Sequence, residues 1–89
     1  MKAARLYGVG DLRVEEIARP EPGAGEILVR VGAGQVCGTD IRMFKQGAPA
    51  LDFASALTLG HEIAGVIEAI GDDTHGYEPG MRVAVAPNY

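Results

Sequence analysis

Gly60-His61-Glu62, followed by Gly65 and Gly71, places an imidazole beside a carboxylate within an apolar run. Upstream stands the chain's single cysteine, in Cys37-Gly38-Thr39-Asp40, 24 residues before His61. Thiolate, imidazole and carboxylate are the donors a zinc ion takes, and a catalytic zinc keeps three protein ligands and one open position. Taken singly, each residue has a plainer reading. A lone cysteine is most often a small buried hydrophobe, a lone histidine a satisfied core or surface residue, and a lone glutamate a solvated charge. Cys37 and His61 together are one ligand short of a catalytic set. His75, in the polar cluster Asp72-Asp73-Thr74-His75-Gly76, reads as a surface residue of a turn.

The segments that must position these groups are short and β-like. Lys2 to Tyr7 reads as a strand that turns at Gly8-Val9-Gly10-Asp11, and the alternation from Leu12 to Ile17 reads as its return partner in a hairpin. Arg19-Pro20-Glu21-Pro22-Gly23 must be irregular, since proline lacks the ladder donor and biases its predecessor away from helix. Glu26 to Val36 reads as a buried strand. Thr39 or Asp40 is expected to cap a short helix through Lys45, with Ile41 and Phe44 three apart on one face. Gln46 to Ala56 has no clear period and reads as a surface loop. His61 to Ile70 is too apolar for a surface helix, and Gly65 disfavours helix further, so the segment reads as a strand bent at Gly65. Gly60, Gly65 and Gly71 fit positions needing positive φ or the close approach of a neighbouring strand. Pro79-Gly80 suits the centre of a type II turn, and Met81 to Ala86 follows as a last strand. Five or six short strands and one short helix imply a small all-β barrel or rolled sheet.

Composition narrows the function classes. Eighty-nine residues make one small domain or a piece of a larger one. An apolar content of 47% argues against disorder. A net charge of −4 argues against a nucleic-acid or anionic-membrane partner, and no apolar run reaches the roughly 18 residues that would span a bilayer. The N-terminus lacks the apolar core of a secretory signal, and one cysteine cannot form an internal disulfide, so a reducing, cytoplasmic setting is expected. Gly8-Val9-Gly10 lies in a hairpin turn and is no dinucleotide fingerprint.

The pattern G-H-E-x-x-G-x-x-x-x-x-G over Gly60 to Gly71, joined to Cys37-x-x-Asp40, resembles the zinc-dependent medium-chain alcohol dehydrogenase family, with alcohol, sorbitol and threonine dehydrogenases among its branches. The resemblance runs over essentially the whole chain, from the Ile27-Leu28-Val29-Arg30-Val31 strand to the closing Met81-Arg82-Val83-Ala84-Val85-Ala86-Pro87-Asn88 segment. It implies a mainly β, GroES-like, partly open barrel with one short helix. Residues 1–89 would form the N-terminal part of the catalytic domain, truncated, with the Rossmann domain and the third zinc ligand lying beyond Tyr89. It also implies a parent that interconverts an alcohol or polyol and its aldehyde or ketone by hydride transfer to NAD or NADP, with zinc as Lewis acid. Such a parent would be a cytoplasmic homo-oligomer acting on a small alcohol or carbonyl substrate.

By the same resemblance, Cys37 and His61 are zinc ligands, and Glu62 is a ligand in some branches and lies behind the metal in others. Asp40 corresponds to the carboxylate that orients the ligating histidine. Thr39 corresponds to the hydroxyl that relays the alcohol proton. Many members pass that proton to a histidine where this chain has Arg42. Arginine does not deprotonate near neutrality, so either water completes the relay or Arg42 meets a phosphate of cofactor or substrate. Gly38 stands where some members carry a basic cofactor contact, and that side chain is missing. Ala33, Gly34, Val36 and Phe44 are candidates for shaping a substrate pocket. Two other classes compete: a zinc-free quinone or enoyl reductase relative, and a non-enzymatic co-chaperonin-like β module. Neither needs Cys37, Asp40 and the Gly60-His61-Glu62 triplet.

Overall fold

The computed structural model describes residues 1–47 and 56–86. The elements are β1 (Lys2–Gly8), β2 (Asp11–Glu16), β3 (Ile27–Gln35), α1 (Gly38–Gln46), β4 (Leu57–Thr58), β5 (Glu62–Ile70) and β6 (Arg82–Ala84). They fall into two compact units, Met1–Ala18 with Val36–Gly60, and Arg19–Gln35 with His61–Tyr89. Each unit holds one three-stranded antiparallel sheet, ordered β2-β1-β4 in the first and β3-β5-β6 in the second. Among the described residues no helix is long and apolar enough to cross a membrane.

In the first unit β1 is the central strand. It pairs with β2 from Lys2↔Glu16 to Leu6↔Leu12, and with β4 at Arg5↔Thr58 and Leu6↔Leu57. Central placement buries Ala3 and leaves Leu6 with no exposure at all. The hairpin turns at Gly10, whose φ of 71° suits glycine, and the Gly10 N–H donates to the Phe44 carbonyl of α1 at 2.7 Å.

The register sets Arg5 opposite Arg13, and like charges directly across a ladder repel. Carboxylates offset this. Arg13 donates two hydrogen bonds to Asp11, at 3.0 and 2.9 Å, and stacks over the Tyr7 ring at 4.1 Å. The Arg5 guanidinium lies 3.9 Å from Glu15. The Tyr7 hydroxyl donates to the Glu15 carboxylate. That hydrogen bond, then desolvation, then the Glu15 charge raise the Tyr7 phenol above its ordinary 10.0. A group held protonated in the folded state stabilises the fold fully below its unfolded pKa, and the contribution fades as pH rises through the folded value. Ultraviolet difference titration of the wild-type chain against Tyr7→Phe should therefore show one phenol ionising later than a free tyrosine. A difference curve centred at or below 10 would contradict the Tyr7–Glu15 bond.

In the second unit β5 is central, flanked by β3 from Ile27↔Ile70 to Gln35↔Glu62 and by β6 from Ala64↔Ala84 to Val66↔Arg82. Ile67 is 1% exposed, and its amide group bonds to both strand and turn, through Ile67 N–H to Met81 C=O and Gly80 N–H to Ile67 C=O, each at 2.8 Å. Two glycines are required by crowding. A Cβ on Gly65 would overlap the Arg30 carbonyl, and one on Gly71 would overlap the Gly23 carbonyl. Gly71 also joins a polar clasp in which Gly71 N–H donates to Glu26 C=O at 2.8 Å and Gly25 N–H to Asp72 C=O at 2.7 Å. The ladder slips between Val31 and Ala33, opposite Gly65 and Ala64, so the bend expected at Gly65 is met by a bulge on β3.

The expected mainly β, partly open architecture with one short helix holds, as two three-stranded sheets with no closed barrel among the described residues. Other expectations need correction. The segment read as a buried strand is half-buried at Ile27–Val29 and exposed from Arg30 to Gln35, because β3 is an edge strand. The helix begins two or three residues earlier than expected, with Cys37 rather than Thr39 or Asp40 as its N-cap. Ile41 and Phe44 are 49% and 37% exposed, so their spacing does not mark a buried face. The last strand is shorter than Met81 to Ala86. The two-residue β4 had no sequence signal of its own. The loop expected over 46–56 begins with the last residue of α1, and most of it lies outside the described residues. Pro79-Gly80 does form the expected turn, with Met81 N–H donating to Glu78 C=O at 3.2 Å and Gly80 at φ 93°.

Candidate metal centre

Cys37, Gly38, Thr39, Asp40 and Arg42 belong to the first unit. Cys37 is extended, with φ −109° and ψ 168°, and it caps α1. Its sulfur accepts the Thr39 N–H at 3.3 Å, while its own N–H donates to the Asp40 Oδ2 at 3.1 Å. Its carbonyl accepts the N–H groups of Asp40 and Ile41 at 3.1 and 3.5 Å. This is a capping box with cysteine in place of serine or threonine and aspartate in place of glutamate. Asp40 is buried at 7% exposure, Cys37 and Thr39 are half-buried, and Gly38 and Arg42 are exposed. An N–H aimed at the sulfur complements negative charge there, and the helix N-terminus adds to that field.

His61 and Glu62 belong to the second unit and are half-buried. His61 directly precedes β5, and Gly60 before it has φ 106°, a conformation that side-chain-bearing residues rarely adopt. Glu62 opens β5 and is the register partner of Gln35, the last residue of β3. Cys37 therefore follows by two residues the ladder position that faces Glu62, and His61 precedes Glu62 by one. Beside this end of the sheet lies an open groove of about 470 Å³ lined by Ala33, Gly34, Gln35, Glu62, Ile63, Ala64 and Val85. Of the pocket-shaping candidates, Ala33 and Gly34 line it, while Val36 and Phe44 are exposed residues of the first unit. Gln35 and Val85 were not anticipated, and only the strand register could have found them. Asp40 was expected to orient the histidine; its bond to the Cys37 N–H was not anticipated, although Cys-x-x-Asp has the spacing of a capping box.

Residues 23–88 match the alcohol dehydrogenase GroES-like domain. The chain belongs to this family. Within the alcohol dehydrogenase GroES-like family it is 41% identical over 95 residues to an NAD-dependent alcohol dehydrogenase of Saccharolobus solfataricus, covering 98% of this chain and 27% of that protein. It is 36% identical over 83 residues to sorbitol dehydrogenase of Homo sapiens, covering 92% and 23%. Among solved structures, a zinc-dependent alcohol dehydrogenase of Streptococcus pneumoniae in its apo form superposes with a TM-score of 0.85 at 27% identity, over 94% of this chain and 24% of that one. The chain thus spans about a quarter of the length of these relatives. Family membership agrees with the mainly β architecture and single short helix.

Proposed function

We propose that this chain supplies part of the catalytic centre of a zinc-dependent, NAD(P)-linked oxidoreductase that interconverts an alcohol or polyol and its carbonyl product. The observation that carries the proposal is the Gln35–Glu62 register pair that ends the β3-β5 ladder, two residues before Cys37 and one after His61 in the sequence. The donor chemistry fits: a soft sulfur, an imidazole nitrogen and a carboxylate oxygen are the set that zinc takes. Cys37 and His61 hold the ion, with Glu62 as a further oxygen ligand in this reading. When bound, zinc supplies Lewis acidity to the substrate oxygen. The Thr39 hydroxyl would accept the alcohol proton as it donates its own to water, which carries it to solvent. Arg42 keeps its charge throughout, so it serves an anionic group, such as a cofactor phosphate, rather than the relay.

Residues 1–89 act in this reading as the N-terminal part of the catalytic domain. The nicotinamide is held by a dinucleotide-binding domain outside these residues, and the 89-residue chain alone makes no NADH from an alcohol. The printed names of the relatives support an alcohol or polyol as substrate. The parent would work as a homo-oligomer in the cytoplasm.

Cobalt(II), a spectroscopic stand-in for zinc, tests the metal reading. Titrating the wild-type chain should give the near-ultraviolet band of a thiolate bound to cobalt. His61→Ala should weaken cobalt binding, and Cys37→Ser should abolish the band. A wild-type chain without the band, or a His61→Ala chain that binds cobalt as well as wild type, would overturn it.

A further inference from the structure

We infer that Asp40 is a positioning residue for Cys37, holding the cysteine in its ligating posture before a metal arrives. The inference rests on the metal reading above and adds to it a named device on the thiolate side. Three sets of hydrogen bonds fix Cys37. Its carbonyl is held by the Asp40 and Ile41 amides, its sulfur by the Thr39 amide, and its N–H by the Asp40 carboxylate. The first two are made by backbone donors of the helix. The third is made by a side chain, and that side chain is one of the few buried ones among the described residues. The carboxylate thus restrains the φ of Cys37, and φ, ψ and the sulfur are then restrained together. A ligand already ordered loses less freedom when it binds, which is why groups supporting a metal ligand commonly change affinity by about 10- to 100-fold when removed.

Aspartate suits the place for two reasons. It is the third residue of the helix from the cap, where a side chain can reach back to the cap N–H. It also puts negative charge in the first helical turn, where the helix field favours it. Asparagine has the same shape and keeps an acceptor oxygen without the charge, and alanine keeps neither. The two substitutions therefore separate positioning from charge.

The test combines amide hydrogen exchange of the full chain with cobalt titration. Asp40→Ala should speed exchange of the Cys37 amide at least about 10-fold and weaken cobalt binding by about 10-fold. The Gly47 amide, bonded to the Met43 carbonyl at the far end of α1, should keep its protection, which marks the change as local. Asp40→Asn should retain both the Cys37 protection and most of the affinity. Unchanged cobalt affinity in Asp40→Ala despite a freed Cys37 amide would overturn the inference. So would an Asp40→Asn chain that keeps the protection yet loses as much affinity as Asp40→Ala. Should Asp40→Ala not fold, the wild-type chain still decides. A Cys37 amide equally protected with and without cobalt supports positioning in advance, and a rise of about 10-fold or more on binding overturns it. A wild-type chain with no thiolate-to-cobalt band fails the metal reading itself, whereas a band indifferent to Asp40→Ala fails the positioning role alone.

Discussion

Replacing Gly65 by alanine is expected to abolish the folded β3-β5-β6 sheet at room temperature. The added Cβ would lie on the Arg30 carbonyl and against a Val29 methyl group. The obstacle is backbone, so no rotamer change relieves it. The carbonyl belongs to the strand that β5 pairs with, and Arg30↔Val66 and Val31↔Gly65 are its neighbouring rungs. Overpacking of ordinary side chains costs about 1–3 kcal/mol, and a clash that must displace a ladder carbonyl exceeds that. A small domain holds only about 5–15 kcal/mol in all, with short chains near the lower end. Circular dichroism with urea titration should show Gly65→Ala unfolded or with its midpoint sharply lowered. A native-like β spectrum with an unchanged midpoint would show that β3 and β5 do not approach this closely.

Leu6→Ala should cost about 3 kcal/mol, within the usual span for removing a buried leucine. Leu6 and Ile67 are the large side chains fully buried among the described residues, and Leu6 lies on the strand that carries both neighbours of its sheet. Few other apolar contacts are in place to share the loss, since Val9, Leu12 and Val14 of the same hairpin are 58%, 44% and 72% exposed. Hydrogen exchange should locate the effect in the β1–β2 ladder, with amide protection there falling by roughly two orders of magnitude. Leu12→Ala is the control, and at its exposure the loss should stay well under about 1 kcal/mol. Equal losses at the two positions would mean that β1 is not the buried centre of its sheet.

The fold was legible where local chemistry decides structure. Alternation marked the β1–β2 hairpin, prolines marked the break after Ile17, and Pro79-Gly80 marked its turn. Gly60 and Gly65 were read for positive φ or close approach, and the structure shows one of each. What could not be read depends on partners distant in sequence. The run from Ile27 to Gln35 is apolar enough for a central strand, yet it is an edge strand, because order in a sheet is set by which strands pair with β5. Similarly, β4 is two residues long and exists through its pairing with β1, which no local pattern of two residues can announce.

The candidate centre divides in the same way. Residue types and spacing alone marked out the candidate donors: Cys37-x-x-Asp40 and Gly60-His61-Glu62 bring a thiol, an imidazole and carboxylates of the kind zinc takes. Donor identity is a property of side chains and does not depend on the fold. The cap of the helix and the pairing that aligns the segments were settled only by tertiary structure. The cap falls on Cys37 because Asp40 reaches back to its N–H, and Gln35 meets Glu62 because two register shifts between β3 and β5, at Leu28/Val29 and at Val31/Ala33, offset each other. A bulge shifts register by one residue and so changes which residues face each other. That choice belongs to the paired strands together, and neither strand's sequence makes it alone.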